Sequence, residues 1–234
     1  MTIEPLGDSA LIVRVVDEFH PETSLNAVLL ALRHLETAAI PGVIELAPAY
    51  TTIGAFFDPT QIESAAADDS PFDVLATKIQ SILNASAFAQ QVEIKTSVIE
   101  VPVCYEGEFA PDLDEVARHA RLSHDEVVHR HSNANYRVSC VGFAPGFPYL
   151  SGLPSELATP RRASPRTEIP AGAVAIGGTQ TGIYPRKSPG GWHIIGRTPL
   201  RLFDVRREPP ALFHAGDQVR FRKISREEFD TATS

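Results

Sequence analysis

The stretch that decides the fold of the second half of the chain is VAIGGTQTGIYPRKSPGGWHIIGR, residues 174–197. Two short apolar runs, Val174–Ile176 and His193–Ile195, are separated in it by Gly and Pro. This pattern is typical of short strands joined by tight loops. Further strands are predicted from similar runs at Tyr136–Val141, Leu200–Phe203 and Gln218–Phe221. Short strands broken by Gly and Pro favour a closed β-barrel or a sandwich.

The first half of the chain has an α/β pattern instead. Helical spacing of apolar residues predicts one helix over residues 25–35, ended by Pro41-Gly42, and a second over residues 72–82. β-Branched runs predict strands at Ala10–Val16, Val43–Leu46, Thr51–Phe57 and Thr96–Val103. The resulting order, β-α-β-β-α-β, is the ferredoxin-like arrangement, with a loop expected at Ser64–Pro71.

Two short helices are predicted between these halves of the pattern. Asp112-Leu-Asp-Glu115 and Ser123-His-Asp-Glu126 both have the form of a capping box, in which the first side chain and the Glu bond each other's backbone N–H groups. We therefore expect each stretch to begin a helix.

The charge distribution changes at the same place as the pattern. The 234 residues carry a net charge of -8, but residues 1–98 hold 4 basic and 13 acidic side chains, whereas residues 160–223 hold 12 basic and 4 acidic ones. This change predicts two domains, residues 1–95 and 96–234. The negative total argues against general nucleic-acid binding, while the basic segment is either a solvated surface or a cleft for a phosphate or carboxylate.

Several classes of protein are excluded by missing motifs. No Gly-x-Gly-x-x-Gly follows a strand, the run ending in Lys187-Ser188 lacks the Gly of a P-loop, and no Gly-x-Ser-x-Gly occurs. His129 and His131 would point about 200° apart on a helix, so no metal site is expected. The two cysteines cannot form a disulfide framework, and neither a membrane span nor a signal peptide is found. We expect a cytoplasmic protein.

Three loops are unusual enough to suggest a ligand site. They are Gly142–Leu150, Arg161–Arg166 with its continuation to Gly172, and Gly177–Gly182 with its continuation to Pro199. Gly lets backbone N–H groups approach anionic oxygens and Pro fixes the shape of a loop. Tight barrel corners need the same residues for purely structural reasons. The nearby arginines and Gln180 favour the ligand interpretation.

Long ordered motifs in the second half carry a resemblance to a known family. These are VPVCY from residue 101, HSNANYRV, GFAPGFPYLSGL, TPRRASPRTEIPAG, GGTQTGIYP, SPGGWHIIGRTPLRLFD and AGDQVRF. Together with GDSALIVRV and PGVIELAPAYTT in the first half, they resemble the family of the bacterial 5-oxoprolinase B-type subunit, the histidine-kinase inhibitor KipI and allophanate hydrolase subunit 1. Three positions depart from the family's pattern: Glu106 and Ala110 stand for a usual Gly, and Ala173 for a usual Ser.

The resemblance implies a fold and a function. The fold is an N-terminal α/β domain followed by a C-terminal cyclophilin-like β-barrel. The function is that of one subunit of an ATP-dependent lactam hydrolase, with a C-type (KipA-like) partner and a third subunit, and with ATP, as Mg-ATP, bound together with partner subunits. Two alternatives stay open within the family: an inhibitor of a sensor histidine kinase, and a component of a biotin-dependent urea or amide carboxylation system.

Nine residues are candidates for the site. His131 is a candidate for proton transfer because imidazole titrates near neutrality, and Arg166 and Arg197 could grip an anion. The alternative for His131 is a structural role in the hydrophobic core, and the alternative for the two arginines is a salt bridge at the barrel rim. The candidates for binding substrate or nucleotide are Tyr136, Phe147, Gln180, Gly190, Gly191 and Trp192. We expect Arg166, Gln180, Arg197 and His131 to converge on one pocket, and truncation of either Arg to abolish activity with little loss of stability.

Overall fold

The computed structural model describes residues 1–21, 23–63, 69–85 and 98–233. The chain divides into two compact units, Met1–Lys95 and Thr96–Ser234. In the described part of the chain, no helix is both long and apolar enough to cross a bilayer. Of the loop expected at residues 64–71, positions 64–68 lie outside the described residues.

The first unit contains a four-stranded antiparallel sheet. Its strands are β1 (Thr2–Pro5), β2 (Ala10–Arg14), β3 (Val43–Ala49) and β4 (Thr52–Phe57), in the order β1-β2-β4-β3. Two helices supply the rest of its core: α1 (Thr23–Ala38) and α2 (Pro71–Asn84). The two predicted helices and three of the predicted strands are confirmed at these positions.

Helix α2 shows why this unit folds as it does. The Ser70 hydroxyl accepts a hydrogen bond from the Asp73 N–H, and Pro71 takes the first helical position, where no N–H is needed. Leu75, Ile79 and Leu83 then recur every four residues on one buried face. That face packs into the same core as the strands.

The ferredoxin-like arrangement is not confirmed. The strand predicted to complete it is β5 (Val98–Val103), which pairs in parallel with β13 (Gln218–Lys223) in the sheet of the second unit. Residues 96 and 97 of that prediction lie outside the described residues. The described part of the first unit has instead the strand β1, which the sequence pattern did not reveal.

The second unit is built on a nearly closed seven-stranded sheet, consistent with a cyclophilin-like barrel. Besides β5 and β13, its strands are β6 (Tyr136–Val141), β7 (Pro148–Ser151), β9 (Ala173–Gly177), β10 (Gln180–Ile183) and β12 (His193–Arg197). Their order is β12-β9-β10-β7-β6-β13-β5. The edges of this sheet meet where Cys104, just after β5, exchanges two backbone hydrogen bonds of 2.9 Å with Arg197 at the end of β12.

Smaller elements surround this barrel. β8 (Arg166–Ile169) and β11 (Ser188–Gly190) form a separate two-stranded sheet. The helices are α3 (Leu113–Ala120), α4 (His124–Asn133) and α5 (Arg226–Thr233). The strand predicted at Leu200–Phe203 is wrong, since only an isolated bridge from Phe203 to Ala211 forms there.

The two predicted capping boxes have different outcomes. At α4 the box is complete, because the Ser123 hydroxyl accepts from the Glu126 N–H and the Glu126 carboxylate accepts from the Ser123 N–H. At α3 the prediction is wrong: Asp112 makes no side-chain capping bond. Its carboxylate is used elsewhere in the unit.

Independent folding of the two units stays a prediction that can be measured. We expect a polypeptide spanning residues 96–234 to be soluble and to unfold in a single cooperative transition by calorimetry. The reason is that the buried side chains of its main hydrophobic cluster all come from within this unit. Aggregation of this polypeptide under conditions where the full chain stays dispersed would contradict the domain boundary at residue 95.

Candidate functional site

Asp112 organises the charged side of the barrel. It is only 3% exposed and lies just before α3. Its Oδ1 accepts hydrogen bonds from Arg162 Nη1 at 2.9 Å and Arg166 Nη2 at 2.8 Å, while Oδ2 accepts from Arg166 Nη1 at 2.7 Å and from the Ile194 N–H at 2.7 Å. One buried carboxylate therefore ties the 162–166 segment to strand β12, and the charge-assisted bonds make this a strong junction.

Next to this junction is a cavity of about 180 Å³, the Arg166–Arg197 cavity. Its walls combine charged and apolar groups from strands, loops and a short 3-10 turn. They are Glu108, Phe109, Pro111, Arg166, Glu168, Pro170, Ala173, Ile194 and Arg197. Two of the three predicted catalytic residues thus share one cavity, and the Ala173 side chain stands in its wall.

Arg197 is held so that its terminal nitrogens remain available. Its Nε donates to the Ala171 carbonyl at 2.9 Å, and its guanidinium lies 5.6 Å from the Phe109 ring centre and 5.9 Å from that of Phe229. Neither Nη atom makes a hydrogen bond to the residues that the structure describes. A guanidinium stacked on aromatic rings with free donors is suited to bind an anion.

Arg166 differs from Arg197 because its terminal nitrogens already have hydrogen-bond partners. Both of its Nη atoms bond Asp112, and this hydrogen bonding raises the pKa of Arg166 above its ordinary value. These bonds change what we expect of a truncated Arg166: the variant should lose stability as well as activity. Loss of the guanidinium would strip a buried carboxylate of two of its four donors.

His131 lies in the core of the barrel and is fully buried. Its Nδ1 is 2.8 Å from the Tyr105 hydroxyl and its Nε2 is 3.1 Å from Thr181 Oγ1. Thr181 Oγ1 donates its own hydrogen to the Ala175 carbonyl, so Nε2 carries the ring proton and Nδ1 accepts from Tyr105. The ring also stacks on Phe221, with 4.5 Å between ring centres.

This environment keeps His131 neutral. Burial lowers its pKa from 6.5 to about 3, because the charged form would lose its hydration. Tyr136, itself buried, donates from its hydroxyl to the His131 carbonyl at 2.9 Å. His131 does not line the Arg166–Arg197 cavity, so the four side chains expected to converge do not all do so. Proton transfer by His131 stays a prediction.

The predicted binding residues Phe147 and Trp192 belong to an aromatic cluster. Their ring centres are 5.7 Å apart in an edge-to-face arrangement, and both side chains are buried. Tyr184 packs on Phe147 at 5.1 Å, and Arg161 lies 5.9 Å above the Trp192 ring. The exposed member is Phe143, 63% accessible and at a φ of +70°. The cluster forms an apolar wall with one exposed ring.

Gly190 and Gly191 serve this packing as well as the loop. A Cβ on Gly190 would collide with the Tyr184 hydroxyl and with the Ile169 side chain. The Gly191 carbonyl accepts from the Arg162 N–H at 2.8 Å, which fixes the arginine loop beside strand β12. Gln180, half-buried at the start of β10 and paired with Gly177, is not part of the Arg166–Arg197 cavity.

One group of possible metal ligands occurs among the described residues. Oxygen atoms of Asp112 and Glu115 and a ring nitrogen of His193 lie within 4.8 Å of one another. The Asp112 oxygens already carry two guanidinium groups and a backbone N–H, and these cations would repel a divalent ion. The chemistry of this group therefore does not fit a metal centre.

Asp112, Arg162 and His193 were missed as site residues by the sequence reasoning. The Asp-x-x-Glu pattern led to the interpretation of Asp112 as a helix cap. Arg162 and His193 were noted only as parts of an unusual loop and a predicted strand. The one signal that could have found them is the excess of basic residues in 160–223, which requires acidic partners from elsewhere in the chain wherever those bases are buried.

Comparison with known proteins matches this chain to one family. The family "Carboxyltransferase domain, subdomain C and D" matches residues 1–213. The B-type subunit of 5-oxoprolinase from Bacillus subtilis is 42% identical over 97% of this chain and 94% of its own length. That of Escherichia coli O157:H7 is 53% identical over 57% of this chain and 61% of its own length.

Solved structures give the same result for the fold. The crystal structure of TTHA0988 superposes with a TM-score of 0.76 and 33% identity over 92% of this chain, which spans only 40% of that longer chain. The protein PH0987 from Pyrococcus horikoshii is 38% identical, with a TM-score of 0.56, over 97% of this chain and 100% of its own. The urea amidolyase of K. lactis, at 20% identity and a TM-score of 0.75, shares the fold.

Proposed function

Since the chain belongs to the carboxyltransferase-domain family, subdomains C and D, that includes the B-type subunit of 5-oxoprolinase, we propose that it is one subunit of an ATP-dependent 5-oxoprolinase. The reaction opens the lactam ring of 5-oxoproline to glutamate. The proposed partners are a C-type (KipA-like) protein and a third subunit. The observation that carries the proposal is a full-length relative at 42% identity, together with a cavity in the barrel whose lining includes Arg166 and Arg197.

The chemistry explains why such an enzyme uses ATP and cations. An unstrained lactam resists water, but transfer of the γ-phosphoryl group to its carbonyl oxygen makes the ring carbon a better electrophile. Water then adds to that carbon, and the C–N bond breaks with protonation of the nitrogen. A second water releases phosphate from the acyl phosphate that remains. Charge develops on oxygen atoms in these steps, and fixed N–H donors stabilise it.

Arg197 is our candidate for such a donor in this chain. Its two terminal nitrogens, at the Arg166–Arg197 cavity, have no partners among the described residues, and its aromatic support holds them in place. Arg166 supplies positive charge from the Asp112 junction. His131 stays our candidate for proton transfer. We propose that six further residues shape the surroundings: Phe147, Trp192, Gly190, Gly191, Gln180 and Tyr136. The magnesium of Mg-ATP is not assigned to ligands in this chain.

The purified chain alone is expected to show no ATP-dependent release of glutamate from 5-oxoproline. The reason is that the sequence holds no nucleotide-binding motif of its own, and the relatives are named as subunits. Addition of the KipA-like partner and the third subunit should restore turnover, measured as glutamate and ADP formed together. Turnover by the chain alone would refute the subunit assignment, and no turnover in the full mixture would favour the kinase-inhibitor alternative.

Replacement of Arg197 by Gln should lower kcat/KM of the reconstituted complex by about 30-fold or more. Loss of one charged donor to a buried anion commonly costs about 2–5 kcal/mol of binding energy. Arg220→Gln is the matched control, because Arg220 is exposed on β13 and its side chain bonds only Asn135 among the residues that the structure describes. Equal rates for the two variants would remove Arg197 from the site.

A further inference from the structure

A second cavity, of about 380 Å³, adjoins the Asp112 junction on the side of helix α3. Its charged and polar lining residues include Glu115, Arg118, Arg161, Arg162 and His193. We call it the Arg162–His193 cavity. It shares no lining residue with the Arg166–Arg197 cavity, so a ligand in one does not fill the other.

Two nitrogen atoms in the wall of this cavity lack hydrogen-bond partners among the described residues. They are Arg162 Nε and His193 Nδ1, and both are shielded from solvent. The His193 side chain is only 3% exposed. Native proteins seldom leave such atoms unpaired, because an unsatisfied buried donor or acceptor loses its hydration without compensation. Two such atoms in one cavity wall make this wall a candidate for ligand binding.

Arg162 offers a donor edge. Its Nη1 is engaged by Asp112 Oδ1 at 2.9 Å and lies 3.5 Å from a Glu115 oxygen. The opposite edge, with the Nε–H and Nη2–H groups, bonds nothing in the described part of the chain. This edge has the parallel donor geometry that holds two oxygens of a carboxylate or phosphate. The exposed guanidinium groups of Arg118 and Arg161 add positive charge around it.

His193 presents a hydrogen-bond acceptor beside the donor edge of Arg162. Its Nε2 donates to the Pro160 carbonyl at 2.9 Å, so the neutral ring presents an acceptor lone pair at Nδ1. Glu115 Oε2, which is also an acceptor, lies 3.6 Å from this Nδ1. A distance of 3.6 Å leaves no room for an atom between these two acceptors, so a hydrogen-bond donor that serves both approaches from beside them.

We propose that the Arg162–His193 cavity binds a small oxyanion that carries a hydrogen-bond donor next to its charge. The Arg162 edge holds the anionic oxygens, and His193 Nδ1 with Glu115 accepts the donor. A hydrogen phosphate, with its P–OH group, has this chemistry, and so does a carboxylate with a neighbouring N–H group. The inference concerns binding to this chain by itself and stands whether or not the proposed reaction is correct.

The test is a separate titration of the full chain with inorganic phosphate, with 5-oxoproline and with chloride. Binding is measured by calorimetry and by the change of the ¹⁵N NMR signals of the histidine rings. We expect saturable binding of phosphate or 5-oxoproline, but not of chloride, with a shift of the His193 signals, assigned with His193→Gln. Competition between phosphate and 5-oxoproline shows which oxyanion the cavity prefers.

Variants locate the bound anion. Arg162→Lys keeps a charge for Asp112 but loses the second donor edge, and it should weaken binding about tenfold or more. Arg161→Gln lies outside the Asp112 junction and should also weaken binding, which keeps the test valid if Arg162→Lys does not fold. Arg220→Gln is the control that should bind as the natural chain does. No saturable binding, or binding lost only in Arg197→Gln, would overturn the proposal.

Discussion

Replacement of Asp112 by Ala is expected to lower the free energy of unfolding by about 3–5 kcal/mol, since removal of one partner from a buried ion pair leaves uncompensated charge. Here the loss is wider than one pair. The Arg162 and Arg166 guanidinium groups, each about one-quarter exposed, and the Ile194 N–H would all lose their acceptor. For a chain of this size the melting temperature should fall by roughly 10 °C.

The measurement is chemical denaturation of the full chain at pH 7.5, followed by circular dichroism. Asp114→Ala is the matched control, because Asp114 lies in the first turn of the same helix with its side chain 82% exposed. Ion pairs made by such exposed side chains contribute about 0–1 kcal/mol to the free energy of unfolding. If both variants lost equally little stability, the junction at Asp112 would not hold the arginine loop in solution.

The second large effect is a dependence of stability on pH that comes from His131. Its pKa is about 3 in the folded chain and near 6.5 when unfolded, so between these values only the unfolded chain binds the proton. Proton uptake by the unfolded state makes stability fall as pH falls through this window. The loss is about 1.4 kcal/mol per pH unit below pH 6.5, or roughly 2 kcal/mol by pH 5.

His131→Gln should remove this part of the pH dependence and lower stability at pH 7.5, because the Tyr105 hydroxyl and the stacking on Phe221 lose their partner. The comparison is the free energy of unfolding at pH 7.5 and pH 5.0. His129→Gln, on the exposed face of the same helix, should keep the slope of the natural chain. An unchanged slope in His131→Gln would show that His131 does not stay neutral in the folded state, and would strengthen its candidacy for proton transfer.

The sequence was most informative where one element decides its own structure. The alternating run at Tyr136–Val141 forms a strand as predicted, and Ser123 begins a helix through a bond to a residue three positions away. Strands such as β8, β10 and β11 are only three or four residues long and rich in polar residues and Gly. They exist because of their pairing partners, which periodicity along the chain does not reveal.

The same distinction holds for the candidate site. Asp112 and Ser123 have equivalent capping patterns, yet arginines 50 and 54 residues further along take the Asp112 carboxylate. The sequence around Asp112 does not show that distant arginines, rather than the helix N-terminus, bind its carboxylate. Of the four side chains predicted to converge, Arg166 and Arg197 line one cavity, while Gln180 and His131 do not line it. The loop composition and charge that pointed to the two arginines are visible in the sequence. The burial of His131 depends on Phe221 and Thr181, which are distant in the sequence, so its core position was one of two open interpretations.

The parallel pairing of β5 with β13 has a consequence for biosynthesis. Strand β13 lies between β6 and β5, so residues 98–103 have no neighbour on that side until residues 218–223 have left the ribosome. Val101 and Val103, which are buried in the folded chain, lack this neighbouring strand until then, and apolar surface left open in this way can associate with other nascent chains. Closure must wait for a contact that spans more than a hundred residues, which slows folding. We therefore expect this polypeptide to depend on chaperones while it is being made.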